Sequence, residues 1–469
     1  MVNELEAISP IDGRYRNDTQ PLQNFSEKGL INYRTLVESE YLIALSEYSG
    51  LGPRELSDDE KEFVRNLYTD FSLEDAQFVK KIEKTNHGIE YINNGKKTEH
   101  DVKAVEYFIK DKLRNTPLQD SSEWVHFALT SEDITNLSYG LMLGDGIVEV
   151  ILPKAGELYE KINWFSEKYK DVPILGRTHG QPASPTTFGK EFKVYASRLK
   201  NQLEQLKNYE LLVKLNGATG NYNAHHAAYP DVDWINFTRD FVEKLNEKSK
   251  IKLKPNLITT QIESHDTYAE LFDNMKRLNN ILIDFNQDVW RYISDGWIIQ
   301  RPIEGEVGSS TMPHKVNPIN FENSEGNLGM ANALFEFFSR ELPKSRLQRD
   351  LSDSTIERNF GVSLGYCLIA YNSTLRGLNK IVVDETKVIE ELENHPEIIS
   401  EAFQTILKRE GAEMPYERLK ELTRGRKVDM NDFRRFIEEL KVSDQVKAEL
   451  KQITPINYTG LARDLVEVY

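Results

Sequence analysis

The sequence has little of what marks secreted, membrane or nucleic-acid-binding proteins. Its 469 residues include a single cysteine, Cys367, so an intrachain disulfide is impossible and a reducing compartment, the cytoplasm, is expected. We find no apolar run long enough to span a bilayer, and the polar first residues are not those of a signal peptide. The formal net charge of −16 argues against nonspecific binding of nucleic acid or of a membrane. The composition, 39% hydrophobic and 29% charged, is that of a globular protein.

Signatures of common nucleotide and metal sites are missing as well. The sequence contains no P-loop, no CxxC pair and no HExxH pattern. Alternating strand patterns are sparse, and no βαβ rhythm occurs. We therefore expect a mainly α-helical protein that requires neither a metal nor a cofactor.

Long helical periodicity is the dominant positive feature of the chain. From residue 268 onward, apolar residues recur at alternating steps of four and three, and neither Pro nor Gly interrupts the stretch before Gly296. At about 1.5 Å per residue, this helix would be roughly 40 Å long, more than a small compact domain needs. Similar helices are expected after Gly189, over 323–341 and over 364–378. The pattern predicts a bundle of very long helices that packs against further helices, those of other subunits included.

The length is too great for one ordinary core, so several domains are expected. We assign an N-terminal helical domain to 1–120 and a central long-helix bundle to 121–372. A C-terminal helical domain, rich in Glu, Lys and Leu, follows over 373–469.

The segment 308–318, GSSTMPHKVNP, carries a dense group of hydrogen-bonding side chains. A hydroxyl, an imidazole, an ammonium and an amide lie close together, two prolines prevent helix formation, and a glycine lets a ligand approach the backbone. A loop that closes over an anionic substrate needs such groups, whereas a passive connection does not. Two further segments are similarly dense: 177–186, RTHGQPASPT, and 130–133, TSED, which follows His126.

Together these three segments resemble the signatures of the fumarase/aspartase superfamily, whose members release fumarate from a substituted succinate. Such an elimination needs a base at the carbon beside a carboxylate, an acid for the leaving group, and fixed donors for the charge that builds up on the carboxylate. The resemblance implies Ser309 as the base and His179 as the general acid, with Glu322 as the carboxylate that orients His179. It also implies that the substrate carboxylates are held by Thr130, Ser131, Lys315 and Asn317.

Two more segments narrow the resemblance to the bacterial-type adenylosuccinate lyases. The segments 9–15, SPIDGRY, and 346–358, RLQRDLSDSTIER, look like the regions of that family that contact the nucleotide phosphate. Arginines suit phosphate because they bind it in a bidentate manner. The resemblance implies contacts to the phosphate and ribose end by Arg14, Tyr15, His126, Arg349, Ser354 and Arg358, and a contact to the base or carboxamide side by Gln261.

The activity that the resemblance implies is β-elimination of fumarate from adenylosuccinate to give AMP. The same chemistry would act on succinylaminoimidazole-carboxamide ribotide in de novo purine synthesis. The implied partner is a small-molecule substrate, and the implied assembly is a homotetramer with shared active sites. An acidic protein that binds a phosphorylated dicarboxylate must gather its basic groups locally.

The chain departs from the family pattern around two histidines. His100 and Asp101 begin the longer match, HDVKAVE, and are therefore assigned to the substrate site. His87 keeps Thr85 and Asn86 upstream but lacks the following aspartate. Glu99 stands where relatives have a neutral or basic residue, and its carboxylate is unfavourable beside an anionic substrate unless it points away. The segment 84–97 is interpreted as an insertion that bulges from the N-terminal domain.

Two alternative functions stay open. Another fumarate-releasing lyase, of the argininosuccinate lyase kind, would have no use for the phosphate-binding arginines. A noncatalytic helical scaffold would leave the segment 308–318 unexplained. Taken singly, each motif has an ordinary structural explanation: a tight turn, a loop histidine or a helix cap. Their combination favours catalysis.

Overall fold

The computed structural model describes residues 4–86, 93–301, 312, 315–425 and 427–468. The chain is mainly α-helical, as predicted. The longer helices are α1 (Glu27–Glu47), α2 (Asp58–Thr69), α3 (Leu73–Lys84), α4 (Asp101–Leu113), α5 (Ser131–Asp145), α6 (Leu152–Lys168), α7 (Phe188–Lys207), α8 (Trp234–Leu245), α9 (Asp266–Ser294), α10 (Ile319–Glu341), α11 (Phe360–Leu378), α12 (Glu385–Glu393), α13 (Ser400–Arg409), α14 (Pro415–Thr423), α15 (Met430–Glu438) and α16 (Asp444–Gln452). Shorter helical segments are Glu4–Glu6, Arg16–Thr19, Gln20–Phe25, Pro117–Trp124, Asn223–Ala228, Ser352–Glu357, Pro396–Ile399 and Ala462–Glu467, and a π-helical segment, Gly146–Ile151, joins α5 to α6.

The strands of the described residues are short and form separate pairs. They are β1 (Pro173–Thr178), β2 (Gln181–Thr187), β3 (Glu210–Val213), β4 (Lys252–Pro255), β5 (Ile298–Gln300) and β6 (Ile381–Val383). β1 pairs with β2 and β5 with β6 in antiparallel fashion, while β3 and β4 run parallel. None of these pairs builds an extended sheet, so the helices carry the fold.

The long helices predicted from periodicity are confirmed. α9 covers 29 residues, and its predicted face is buried, as the 0% exposure of Leu271, Leu278 and Leu282 illustrates. α7 buries its predicted face in the same way. Cys367 lies buried in α11, where burial raises the pKa of its thiol to about 12. The thiol thus has the apolar, unreactive role expected of a buried free cysteine.

The chain divides into two compact units. The first unit comprises Met1–Ala155, Gln202–Asn280 and Gly326–Asn372, and the second comprises Gly156–Asn201, Ile281–Glu325 and Ser373–Tyr469. Each unit draws on separate stretches of sequence, because the long helices contribute residues to both. The three domains expected from the sequence, with boundaries near 120 and 372, stay a prediction.

The core of the first unit is built around α1, which packs against α2, α4 and α5. Leu42, Val64 and Phe108 belong to one buried apolar cluster to which α1, α2 and α4 contribute. Capping boxes fix where α2 and α3 begin, with Ser57 and Ser72 as the N-cap residues. Because each cap pairs with an acidic residue three positions later, the first helical turns have their free backbone N–H groups satisfied.

The second unit has an aromatic core. The rings of Phe165 and Phe192 stack at a centroid distance of 5.3 Å, and Phe285 meets Phe192 edge to face at 5.7 Å. Such pairs stabilise beyond the area they bury. α12 packs against β1 and thereby supports the β1–β2 hairpin. Throughout the described ranges, every helix is too short or too polar to cross a membrane.

Candidate active site

His179 lies at the tip of the β1–β2 hairpin in the second unit. Thr178 pairs with Gln181, so His179 and Gly180 form a two-residue turn, with φ of 53° and 72°. Positive φ at both positions matches the twist of the strands, and glycine adopts it without steric cost. The side chain of His179 is exposed. The hairpin therefore presents the predicted general acid to the outside of the unit.

An ion pair between two partly buried side chains stabilises this hairpin. Arg177 pairs with Glu391 of α12 and also donates from Nη1 to the carbonyl oxygen of Gly180 at 3.4 Å. The second oxygen of Glu391 accepts from Nε1 of Trp297 at 2.5 Å. Burial alone would raise the pKa of Glu391, but these two donors hold it below its usual value. Glu391 therefore stays ionised and fixes the turn that carries His179.

The other predicted groups of the second unit lie at the start of α10. Lys315 and Asn317 precede the helix, and the Lys315 side chain is exposed. Glu322, predicted to orient His179, accepts a hydrogen bond from Nε1 of Trp290 at 3.0 Å. Its role toward His179 stays a prediction. The predicted base, Ser309, lies outside the described residues, as do His314 and His87.

In the first unit, Thr130 and Ser131 stand at the start of α5, where Asp133 organises the surrounding loops. Oδ2 of Asp133 accepts from the backbone nitrogen of Thr130 at 2.9 Å. Its Oδ1 accepts from the backbone nitrogen of Asn216 at 3.0 Å. The buried ammonium of Lys214 balances its charge. Thr130 and Ser131 are thus held at a helix N-terminus, which favours anions.

His100 is the N-cap of α4 and contacts this same helix start. Its Nδ1 accepts from the backbone nitrogen of Lys103 at 3.2 Å, so its hydrogen is on Nε2, which lies 3.3 Å from Oγ of Ser131. The structure therefore brings together His100 and Ser131, which the sequence analysis assigned to one site. Glu99 pairs with Lys97 at 2.5 Å and is largely exposed.

Asp101 and Arg358 form an ion-pair network with two further residues. Oδ2 of Asp101 accepts from Nη1 of Arg34 at 2.7 Å and from Nη2 of Arg358 at 2.8 Å. Burial alone would raise the pKa of Asp101, yet the two arginines lower it below its usual value. Arg358 also donates to Glu27 at 2.7 Å. Any phosphate that Arg358 binds must therefore compete with two carboxylates.

Arg349 lies between buried carboxylates. Its Nη2 is 3.5 Å from Glu132 and 3.7 Å from Asp353, both almost fully buried. Its Nη1 donates to Oε1 of Gln261 at 3.3 Å. Gln261 in turn donates from Nε2 to the carbonyl oxygen of Ala218 at 3.1 Å. The contact joins two residues that the sequence analysis assigned to the nucleotide end of the substrate.

A buried group of titratable side chains lies behind Arg349. Glu132, His265 and Glu357 are all buried, and one ligand atom from each lies within 4.8 Å of the others. These are donor types that a divalent cation accepts. Protonation offers another way to neutralise the group, because burial raises the pKa of Glu132 to about 8 and that of Glu357 well above its usual value. No metal was predicted from the sequence, and this buried group could not be recognised from it.

The remaining predicted contacts of the first unit are more exposed. Arg14 extends over the ring of Tyr15, with its guanidinium carbon 5.8 Å from the ring centroid. Both lie in a loop closed by the hydrogen bond from the nitrogen of Gly13 to the oxygen of Ser9 at 3.1 Å. Ser354 stands in the short helical segment that follows Arg349.

His126 lies in the connection that leads into α5. Its Nδ1 is 2.5 Å from Oε1 of Glu38, which belongs to α1. Its backbone has a φ of 63°, which is rare for a residue with a side chain. Glu38 was not predicted, because nothing in a helical ESEYLIAL pattern distinguishes a site carboxylate from an ordinary polar position.

The predicted site residues are thus divided between the two units. The second unit contributes His179, Lys315, Asn317 and Glu322. The first contributes Arg14, Tyr15, His100, Asp101, His126, Thr130, Ser131, Gln261, Arg349, Ser354 and Arg358. Two buried partners of these residues, Arg34 and Glu38, were not predicted from the sequence. Neither were Lys214, which pairs with Asp133, and Glu357, which lies beside His265.

Solved structures of similar shape give the class of the fold. A fumarate lyase from Mesorhizobium sp. BNC1 matches with a TM-score of 0.71 over 96% of this chain and 97% of that chain, at 16% identity. A 3-carboxy-cis,cis-muconate lactonizing enzyme from Pseudomonas putida matches with a TM-score of 0.69, over 96% of this chain and 95% of that chain, at 19% identity. The chain therefore shares the fold of these two enzymes.

Sequence comparison identifies the family to which the chain belongs. The family model described as "Lyase" matches residues 25–332, and the one described as "Adenylosuccinate lyase C-terminal" matches residues 345–459. The chain is 48% identical to the adenylosuccinate lyases of Haemophilus influenzae and of Escherichia coli (strain K12) over 469 residues, which cover 99% of both sequences in each case. It is 47% identical to that of Dictyostelium discoideum over 99% of this chain and 98% of that protein. The chain belongs to the adenylosuccinate lyase family and is a lyase.

Proposed function

We propose that the chain eliminates fumarate from adenylosuccinate to give AMP, and from succinylaminoimidazole-carboxamide ribotide in the same way. The observation that carries this function is the 48% identity to adenylosuccinate lyases along 99% of both sequences. It is strengthened by the match of the C-terminal family model, which covers Arg349, Ser354 and Arg358. The two solved structures share only 16% and 19% identity with the chain, so they support the fold alone.

His179 and Ser309 are assigned the proton transfers. In this assignment Ser309 removes a proton from the carbon beside a carboxylate, the bond from the neighbouring carbon to nitrogen breaks, and His179 protonates the departing nitrogen. An imidazole suits this step because its ordinary pKa lies near neutrality. The exposed position of His179 on a braced, two-residue turn supports the assignment.

Charge that develops on the substrate carboxylate requires fixed donors. Lys315 and Asn317 in the second unit, and Thr130 and Ser131 in the first, are assigned to the carboxylates. The helix N-terminus beneath Thr130 and the contact of Ser131 with His100 support that role. The nucleotide end is assigned to Arg14, Tyr15, His126, Gln261, Arg349, Ser354 and Arg358, with His100 and Asp101 completing the substrate contacts.

The assembly proposed for the chain is a homotetramer with sites shared among subunits. In the first unit, Met330 and Phe337 of α10 are 51% and 41% exposed. In the second unit, Val194 of α7 and Trp290 of α9 are 40% and 42% exposed. Large apolar side chains exposed along long helices are typical of surfaces that bind partner helices. The single cysteine agrees with a cytoplasmic location.

The test is a steady-state absorbance assay on the purified chain with adenylosuccinate, argininosuccinate and malate in parallel. Conversion of adenylosuccinate alone supports the proposed substrate. Turnover of argininosuccinate or malate instead would overturn it, as would failure with all three. Light scattering on the same sample tests the assembly, because an active monomer contradicts shared sites.

A further inference from the structure

Glu38 is a buried carboxylate that faces a histidine of the candidate site. Its side chain is 0% exposed, and its Oε1 lies 2.5 Å from Nδ1 of His126. Its Oε2 is buried without a hydrogen-bond partner among the described residues. A buried carboxylate is costly unless its charge is balanced. His126 is the group in direct contact that can balance it.

α1 holds the backbone around His126 as well as its ring. Tyr41 follows Glu38 by about one helical turn on α1 and donates from its hydroxyl to the carbonyl oxygen of Phe127 at 3.1 Å. His126 and Ala128 on either side of that carbonyl have φ of 63° and 59°. A backbone in this region persists only when its surroundings enforce it. One helix thus fixes both the strained connection and the direction of the imidazole.

The contact with Glu38 decides which nitrogen of His126 is available to a ligand. An ionised carboxylate oxygen can only accept, so the hydrogen is on Nδ1, and Nε2 is the nitrogen that does not contact Glu38. The side chain keeps 16% of its surface exposed, so the ring is not fully enclosed by the protein. The arrangement matches other sites in which a carboxylate orients an imidazole through its second nitrogen.

Charged groups on two helices act on His126. Burial alone would lower the pKa of His126, but Glu38 of α1 raises it above its usual value, and Glu106 of α4 adds to this. Lys103 of α4 opposes the rise. The net direction is upward, so the imidazolium persists to higher pH than in an ordinary histidine. An imidazolium carries a hydrogen on Nε2 and can donate it to an anion.

We propose that Glu38 is a positioning residue that holds His126 through Nδ1 so that its Nε2–H donates to the phosphate of the nucleotide substrate. This inference rests on the proposed function, in which His126 meets the phosphate end. Glu38 does not touch the substrate itself. It acts through His126 by fixing the direction of the ring and keeping its charge near neutral pH.

The first test compares Glu38→Gln with Glu40→Gln over the range from about pH 6 to pH 9. The amide oxygen of the first variant still accepts from Nδ1, so the ring keeps its direction and loses its counter-charge. Glu40 lies two residues further along α1 and pairs with Arg65 at 3.0 Å, so its variant is a matched control. Above neutral pH, KM for adenylosuccinate should rise in Glu38→Gln by about tenfold for each unit by which the pKa of His126 falls. kcat should change little.

Product inhibition tests the contact with the phosphate separately from contacts with the rest of the substrate. Inhibition by AMP should weaken in Glu38→Gln as pH rises, whereas inhibition by fumarate, which has no phosphate, should not. The Glu40→Gln control should follow the wild-type profile with both products. Equal weakening for AMP and fumarate, or a KM profile identical to that of the wild type, would overturn the role of Glu38.

A direct titration keeps the inference separate from the proposed function. NMR of histidine-labelled protein, with the His126 signal assigned from His126→Gln, reports the pKa of this imidazole whether or not the enzyme turns over adenylosuccinate. The expected result is a lower pKa in Glu38→Gln, and an unchanged pKa would contradict the inference.

If Glu38→Gln does not fold, His126→Gln replaces it in the kinetic test. That variant should have a raised KM with no titration of its own, and retention of the wild-type profile would overturn the inference. Absence of wild-type turnover would instead overturn the proposed function.

Discussion

The ammonium nitrogen of Lys214 lies 2.6 Å from Oδ1 of Asp133, and both side chains are fully buried. The same ammonium donates to the carbonyl oxygen of Gly217 at 3.1 Å. Asp133 also holds the backbone of Thr130 at the start of α5. The ion pair therefore connects the 214–217 loop with the helix start that carries two predicted substrate contacts.

Replacing Lys214 by Met should strongly destabilise the protein. Removal of one partner leaves the Asp133 carboxylate buried without its counter-charge, which costs about 3–5 kcal/mol. The matched control is Lys252→Met, because Lys252 pairs with Glu243 at 2.8 Å and both side chains are well exposed. An exposed pair contributes only about 0–1 kcal/mol. Denaturation of both variants against the wild type measures the difference, and equal losses would contradict the importance of the buried pair.

Arg349→Ala should weaken binding of the phosphorylated substrate rather than the chemical step. A charge-assisted hydrogen bond contributes about 1.5–3 kcal/mol, so KM for adenylosuccinate should rise at least about tenfold while kcat changes less. Inhibition by AMP should weaken and inhibition by fumarate should not. Arg346 is more exposed, lies 3.7 Å from Asp350 and provides a matched control. A pure loss of kcat in Arg349→Ala would exclude its assignment to the phosphate end.

His100→Ala and His87→Ala form a second matched pair. His100 caps α4 and lies 3.3 Å from Oγ of Ser131, so its loss should lower kcat/KM. His87 has a similar sequence context and was not assigned to the site, so its replacement should have little effect. Steady-state kinetics on both variants checks this. Equal losses would contradict the assignment of His100, and not His87, to the substrate site.

The buried carboxylate of Glu357 should make stability fall as pH rises. Burial raises its pKa in the folded chain above the usual value, so the folded state holds a proton that the unfolded state releases. This contribution is present below the ordinary pKa of a glutamate and is lost as pH rises toward the raised value. For one such proton the slope is about 1.4 kcal/mol per pH unit.

Glu357→Gln removes that proton and should flatten the dependence of unfolding on pH between about pH 5 and pH 8. Thermal denaturation of wild type and variant across this range measures it. A bound divalent cation would give the opposite sign, because its carboxylate ligands must be deprotonated. The contrary result is that added Zn²⁺ or Mn²⁺ stabilises the wild type with no such effect in the variant. That result would show that a metal ion, and not a proton, neutralises the buried carboxylates.

The helices could be predicted from sequence because one periodic apolar face suffices to define them. The steps of four and three from residue 268 onward anticipated α9, whose predicted residues are buried. The motif segments were recognisable because functional groups were close in sequence. The two-unit organisation was not predicted, because each unit is assembled from separated stretches that local patterns do not connect.

The buried partners of the site could not be predicted for a similar reason. Glu38, Lys214 and Glu357 are charged residues within helices or short loops, where a surface position is the usual expectation. Their burial depends on contacts with residues far away in sequence, such as His126 for Glu38. Likewise, the turn residues His179 and Gly180 were recognised as a motif, but the brace from Glu391 required the tertiary structure.

The central claim is that His179 and Ser309 carry out the elimination of fumarate. The most direct measurement is quantification of both products after incubation of adenylosuccinate with wild type, Ser309→Ala, His179→Ala and the control His395→Ala. The account predicts equal amounts of AMP and fumarate from the wild type and the control. Each catalytic variant should lose at least about a hundredfold in turnover, the contribution typical of a proton-transfer group, with substrate binding largely retained. Full product formation by Ser309→Ala or His179→Ala, or its absence with the wild type, would contradict the account.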